Sequence, residues 1–227
     1  MAAMLGHTVT PLTGSLVPLR ADGCAELQGL SLRNVGLTVY ENGKKIYTDF
    51  GELLFTHFGV SGPLVLSASS RIADDPAGAR LTIDLKPGLD IDELDRRLVR
   101  DFQQNSRKSF QNALDGLFPR RMIPVMVQLS GIAADTETNS VTREQRHAFA
   151  ALIKCVPITV KAAMPIDQAI ITRGGINVKE IDPSTMESKL VSGLYFAGEV
   201  IDVDAYTGGF NIQIACSTGV LAGRSII

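Results

Sequence analysis

Residues 193–227 limit what this chain can fold into more than any other stretch. Leu194, Tyr195 and Phe196 form a short apolar run flanked by glycines, which predicts a buried strand. Small residues and acids follow: Ala197, Gly198, Glu199, Asp202 and Asp204. Gly208 and Gly209 then lead into a small-residue-rich helix predicted over about residues 211–222. A strand, a glycine-rich turn and a helix N-terminus make an anion-friendly site, because first-turn N–H groups lack partners and the helix dipole is positive there. Glycines also let a ligand approach the backbone closely. An ordinary strand–turn–helix unit would look the same on these features alone.

Composition sets the outer bounds. The chain has 227 residues, 45% of them hydrophobic and 20% charged, so a packed core is expected rather than disorder. Its net charge of −2 carries no basic footprint for nucleic acid and no polybasic patch for a membrane surface. No apolar run reaches the length of about 18 residues that a membrane span needs, and the opening MAAMLGHTVT lacks the regions of a signal peptide. Cys24, Cys155 and Cys216 are widely spaced with no C-x-x-C, so reduced thiols, a cytoplasmic location and no zinc site are expected.

Residues 8–12 and 15–19 contain Pro11 and Pro18 and read as short or edge strands. His7 reads as a helix C-terminal residue interacting with the helix dipole. From 25 to 67 the pattern is β: Leu30 and Leu32 alternate, as do Val35, Leu37 and Val39. Glu41-Asn42-Gly43-Lys44 carries the Asn-Gly pair of a type I′ hairpin, with 45–50 returning as the partner strand. Residues 60–63 read as a tight turn, and 81–85 as another strand. The period then switches. Ile91, Leu94, Leu98 and Phe102 share a helical face; Phe110, Leu114 and Leu117 repeat it. Pro119 suits the first turn of a third helix, which Pro124 bends or restarts, and Thr142 with Gln145 forms the capping box of a fourth. Residues 156–162 return to β character before Thr172-Arg173-Gly174-Gly175, where two glycines allow a close backbone approach to a flat ligand. Arg173 is expected to face solvent.

Some motifs exclude chemistry. A nucleophile elbow at Gly59-Val60-Ser61-Gly62 would need glycine where Pro63 stands. His57 lies near Glu52 and Ser61 in sequence and is a weak catalytic candidate; a structural histidine is the simpler reading. Asp202-x-Asp204 invites a calcium reading, but an EF-hand needs glycine where Thr207 stands and glutamate where Gln213 stands, so no metal is expected. Arg96-Arg97 and Arg120-Arg121 are interspersed with acids and read as solvated faces.

The stretch FAGEVIDVDAYTGGFNIQIACSTG resembles the C-terminal flavin-contacting signature of the YhiN/BaiN-like bacterial FAD-binding flavoproteins, which include aminoacetone-oxidase-like enzymes. That family's usual form is close to AGE-x-x-D-x-D-G-x-T-G-G-Y-N. Here Ala205 stands where glycine is usual, and alanine tolerates a positive φ poorly; Phe210 replaces tyrosine. GHTVTPLTGSLVPL, GELLFTHFGVSGP and MPIDQAIITRGGINVKEIDPSTMESKLVSGLYFAGE are similar to family stretches in the expected order. The N-terminal G-x-G-x-x-G that cradles the adenosine half of FAD has no counterpart here, so the resemblance implies the C-terminal half to two-thirds of such a protein, truncated relative to the family.

The fold class implied is α/β plus β-rich: the remnant of a Rossmann-like FAD-binding domain (1–18 and 184–227), an inserted β-barrel-like substrate-side domain (19–86 and 155–183), and within it a small helical insert (87–154). The resemblance implies FAD as cofactor, with NAD(P)H as a candidate electron donor and an incomplete site in this chain. Glu199 would accept hydrogen bonds from the ribityl hydroxyls, with Asp202 as the second acid. Gly208, Gly209, Phe210, Asn211 and Ile212 would turn N–H groups toward the flavin pyrimidine edge, and Asn211 also suits an N-cap. Thr172 and Gly174 match a stretch that lies near the isoalloxazine ring. The expected activity is hydride transfer between an organic substrate or NAD(P)H and flavin, with a small-molecule substrate, no nucleic-acid or membrane partner, and the N-terminal half of the FAD domain as the missing partner. The alternative is a non-catalytic binding or insert-domain fragment that no longer binds FAD. A hydrolase built on Ser61 and His57 is the third reading.

Overall fold

The structure is a computed structural model describing residues 1–72 and 76–226; residues 73–75, inside the predicted barrel span, and Ile227 lie outside the described residues. Six strands close into an antiparallel barrel in the order β2-β5-β4-β3-β6-β7: β2 Leu19–Ala21, β3 Ser31–Glu41, β4 Lys44–Phe55, β5 Gly59–Ser61, β6 Ala79–Asp84 and β7 Val156–Ala163. Alternation places the interior residues. Leu32, Val35, Leu37 and Val39 of β3 are buried, as are Val156, Ile158 and Val160 of β7, while Pro157, Thr159 and Lys161 face out. The hairpin between β3 and β4 turns at Asn42 (φ 50°) and Gly43 (φ 75°), the pair of positive φ values that a type I′ turn requires. Residues 64–67, expected in the β pattern, belong instead to a helix, α1 Pro63–Ser69. Pro63 at its first position is pre-set for helix, and Leu64, Val65 and Ala68 fall on one buried face.

Four helices fill the long excursion between β6 and β7: α2 Ile91–Gln104, α3 Phe110–Ala113, α4 Met122–Ser130 and α5 Arg143–Lys154. Both α2 and α5 open on complete capping boxes, Asp90 with Glu93 and Thr142 with Gln145. The second helix is shorter than its apolar spacing predicts, although Phe110, Leu114 and Leu117 are all buried. Phe149 carries the packing between helices; its ring lies 5.1 Å from that of Phe110 and 6.1 Å from that of Phe118. The barrel interior and these helices share one continuous hydrophobic core. Leu85 N donates to Ile153 O at 3.0 Å, and Lys154 Nζ donates to the carbonyls of Lys86 and Leu89 while pairing with Asp84 at 2.6 Å.

Arg146 of α5 grips Asp95 of α2 through two hydrogen bonds, Nε to Oδ1 at 2.7 Å and Nη2 to Oδ2 at 3.2 Å. They hold the Asp95 carboxyl below the ordinary aspartate value. A carboxyl with a depressed folded-state pKa adds stability above its unfolded value and loses it as pH falls through the folded one. The gap in urea midpoint between wild type and Arg146→Met is therefore expected to be open at neutral pH and to close as pH falls below 3.8. A gap that stays constant well below that pH would remove the pair from the account.

A second, smaller unit lies outside the barrel. Its two-stranded sheet pairs β1 Val9–Ser15 with β8 Ile171–Ile176, and its core gathers Ile176, Ile181, Met186, Phe196, Ile201 and Ala222. Residues 155–183 are expected with the barrel; the barrel strands end at Ala163, and β8 pairs with β1. The predicted strand at 194–196 is not formed: Tyr195 makes an isolated bridge to Glu187, and Phe196 is the buried member of the run. The apolar run there serves packing, with no neighbouring strand to extend a ladder. α6 Phe210–Ser225 closes the chain. Among the described residues, no helix is long and apolar enough to cross a membrane.

Candidate functional site

Where the two units meet, a cavity of about 470 Å³ opens at the N-terminus of α6, lined by Leu16, Ile170, Ile171 and Val203 on apolar walls and by Glu199, Gly208, Gly209 and Asn211 on polar ones. The N-cap of α6 is Gly209, in the left-handed region at φ 88°, and it brings no side chain to the free N–H groups of the first turn. Asn211, expected as the N-cap, is the second residue of the helix. Its side chain instead clamps Ala205, accepting from Ala205 N at 2.9 Å and donating to Ala205 O at 2.8 Å. Ala205 is not among the residues of positive φ, so this loop takes alanine where the family form has glycine.

Each acid of the loop is held by a hydroxyl of the opposing β1–β8 sheet or its surroundings. Glu199 Oε1 accepts from Thr172 N at 2.6 Å and from Thr172 Oγ1 at 2.9 Å. Asp202 Oδ2 accepts from Thr10 Oγ1 at 2.8 Å, and Asp204 Oδ2 from the fully buried Ser15 Oγ at 2.8 Å. Glu199 and Thr172 are thus brought together, while Asp202 is turned toward β1. Phe210 and Ile212 flank the helix start with large exposed apolar surface, 59% and 71%.

The glycine pair in β8 works differently from the expectation. Gly174 and Gly175 lie within the strand, and what approaches them is protein backbone: a Cβ on Gly174 would stand 2.1 Å from Pro11 O, and one on Gly175 2.5 Å from Val200 O. Arg173, expected in solvent, donates through Nη2 to Ser70 O at 2.7 Å and ties the sheet to the end of α1. His57 stands on the exposed turn between β4 and β5, edge-on to Phe58, outside the residues lining this cavity. Glu52 accepts from Ser31 Oγ instead.

His7 is no simple helix cap. It is buried, with Nδ1 3.2 Å from Glu180 Oε2 and Nε2 2.9 Å from Ser188 Oγ. Ser188 Oγ already accepts from Leu190 N and Val191 N, so its own proton goes to His7 Nε2 and the Nδ1 proton goes to Glu180. Hydrogen bonds from Thr8 and then His7 hold the Glu180 carboxyl below its ordinary range. This chain of groups resembles a serine–histidine–glutamate relay, but the serine oxygen is fully engaged. It is a clip joining the N-terminal residues to 180–191. Nothing local in the sequence signals it, since its members lie 173 and 181 positions apart.

The fold and this junction define a class: an antiparallel barrel with a helical unit, set against a glycine-lined helix N-terminus. The chain matches the family described as HI0933-like protein barrel and H2TH domain over residues 13–171, and it belongs to that family. It is 28% identical over 229 residues to the 3-dehydro-bile acid delta(4,6)-reductase of Clostridium scindens, covering 99% of this chain and 56% of that protein. It is 31% identical to the ribosomal RNA dihydrouridine synthase of Haemophilus influenzae, covering 100% of this chain and 54% of that protein. The corresponding values for the synthase of that name from Escherichia coli are 32%, 100% and 55%. The chain spans about half the length of these curated relatives. The resemblance to YhiN/BaiN-like flavoproteins holds from end to end.

Proposed function

We propose that this chain is the flavin- and substrate-side portion of an FAD-dependent oxidoreductase that transfers hydride between an organic substrate or NAD(P)H and flavin. The observation that carries this reading is the cavity at the α6 N-terminus, where uncapped N–H groups face a glycine-lined space and a positioned carboxylate. Its volume of about 470 Å³ lies in the range of cofactor sites. The residues fit a flavin. Backbone N–H groups of Phe210, Asn211 and Ile212, after Gly208 and Gly209, suit an acceptor edge and the negative charge that builds there on reduction. Glu199 accepts from hydroxyls, with Thr172 fixing its orientation, while Leu16, Ile170 and Val203 offer apolar walls. In this reading Asp202 and Gly174 act indirectly, holding β1 against β8. Bound flavin supplies two-electron hydride chemistry; the protein binds, orients and excludes water.

The partner proposed is the adenosine-holding half of the FAD domain. Support comes from unpartnered apolar surface: α6 buries only Ala222 among its sixteen residues, and Met4, Leu5, Val9 and Leu12 are 87%, 50%, 43% and 58% exposed. A mostly apolar helix left bare is built to be covered. The same surface favours the second reading, a fragment that does not hold FAD alone.

The names of the relatives, a delta(4,6)-reductase and dihydrouridine synthases, share addition of hydrogen across a carbon–carbon double bond near a carbonyl. We take a small ring compound of that chemistry as the substrate class, in preference to RNA, because the chain carries a net charge of −2. Cytoplasmic location belongs to the same proposal. The test is an absorbance scan over about 330–520 nm after incubation with FAD and desalting, on this chain and on the protein extended by its G-x-G-x-x-G half. Flavin bands are expected on the extended protein. If it too stays colourless, the flavoprotein reading fails.

A further inference from the structure

A second cavity, of about 390 Å³, lies beside the first and is lined by Ser70, Arg71, Asp204, Ala205, Tyr206 and Phe210. Tyr206 lines both cavities, so the two adjoin at its side chain. Its ring is packed against the barrel core and stands edge-on to Tyr47, with centroids 6.2 Å apart and planes at 66°. Arg71 Nε donates to Tyr206 Oη, and the guanidinium carbon lies 5.1 Å from the phenol ring centroid. Next to it, Thr207 and Ser67 are hydrogen-bonded at 3.0 Å, which fixes the loop to α1. A phenol oxygen that accepts from a guanidinium keeps its own O–H to donate. Phe210, 59% exposed, lines the same cavity and offers aromatic surface there.

A flat ring can therefore stack on Phe210 while a carbonyl oxygen on its edge meets Arg71 and Tyr206. We propose that this cavity takes the substrate ring, a cyclic α,β-unsaturated carbonyl compound, and that Tyr206, held by Arg71, protonates its carbonyl oxygen during reduction. The proposal rests on the flavin reading above. A substrate of this class gains a hydride at its β-carbon, forming a C–H bond as the C=C π bond breaks. The displaced electron pair moves to the carbonyl oxygen, beside the Arg71 guanidinium. The Tyr206 O–H bond then breaks as its proton passes to that oxygen, giving an enol; the α-carbon takes a proton from water while the enol O–H proton is lost to water and the carbonyl re-forms. The phenolate left behind, also stabilised by Arg71, takes a proton from water. The two electrons come from a reduced flavin, the donor class already proposed.

Tyrosine labelled with ¹³C at Cζ makes this testable, because the chain has four tyrosines. The Tyr206 resonance is the one lost in Tyr206→Phe. Uridine and androst-4-ene-3,17-dione are titrated separately, each against its ring-saturated counterpart. The Tyr206 resonance is expected to move with an unsaturated probe, and Arg71→Met to weaken that binding about tenfold. Movement with uridine alone marks a nucleoside source, and movement with the steroid alone a lipid one; both support the subsite. In flavin-loaded extended protein, Tyr206→Phe should leave binding within about threefold and slow reduction about 100-fold or more. Overturning results are a Tyr206 resonance that neither probe moves, or Tyr206→Phe reducing substrate at the wild-type rate. Failure of the extended protein to hold flavin, read from its absorbance, would sink the flavin reading while the resonance still decides the ring subsite.

Discussion

Gly174→Ala is expected to cost about 3–5 kcal/mol of stability and to loosen the cavity at α6 with it. Two independent penalties coincide at this residue. Its φ of +96° lies where L-residues are strained, and the added methyl would stand 2.1 Å from Pro11 O, 2.8 Å from Pro11 C and 3.2 Å from Leu12 Cα. All three are backbone atoms, so no side chain can swing aside. β1 and β8 would have to separate. The same pair carries Thr172, which orients Glu199, and Thr10, which holds Asp202. Urea unfolding should therefore register the loss, and flavin retention by the extended protein should fall in parallel. Gly219→Ala is the control: it lies in α6, its Cβ would meet nothing within 4 Å, and helix propensity favours alanine there. A Gly174→Ala protein within about 1 kcal/mol of wild type would show that the sheet yields at little cost.

Phe149→Ala should be comparably damaging, about 3–5 kcal/mol, because the ring is 1% exposed and packed edge-on against Phe110 and Phe118. The more informative quantity is where the damage spreads. Barrel and helices form one hydrophobic core, so truncation in α5 is expected to lower hydrogen-exchange protection in β6 and β3 as well as in α2. Wild-type protection in those strands alongside lost protection in the helices would make the helical unit a separate cooperative body.

What could be read early was whatever is encoded in neighbouring residues. Asn42-Gly43 dictates its turn because the two positive φ values are a local requirement, and Thr142 with Gln145 announces α5 because both capping bonds span three positions. The periodicities of β3, β7 and α2 likewise report which side of each element meets the core. Sequence and structure differ where a short apolar run has no period long enough to choose between states. Residues 63–69 became helix because Pro63 could start one and its apolar positions found a single buried face; 194–196 remained irregular because no strand lay alongside.

The candidate site divides in the same way. A glycine-rich turn before a helix was legible from residues 193–227, since uncapped N–H groups follow from chain geometry alone. The jobs of Glu199, Asp202, Asn211 and Gly174 were not. They depend on Thr172, Thr10, Ala205 and Pro11, and most of these partners are distant in sequence. His7 with Ser188, Ser67 with Thr207 and Arg71 with Tyr206 lie 181, 140 and 135 positions apart. A lone polar residue has no periodicity, so nothing in the chain marks its partner until packing brings the two together. By itself, then, the sequence determined the β3–β4 turn, the capping box of α5, the core-facing sides of the periodic elements, the family and the glycine-lined helix start. Only the tertiary structure decided which strands share a sheet, which acids are already engaged, and that Arg71 and Tyr206 stand together, because hydrogen bonds act over a few ångströms of space whatever their separation along the chain.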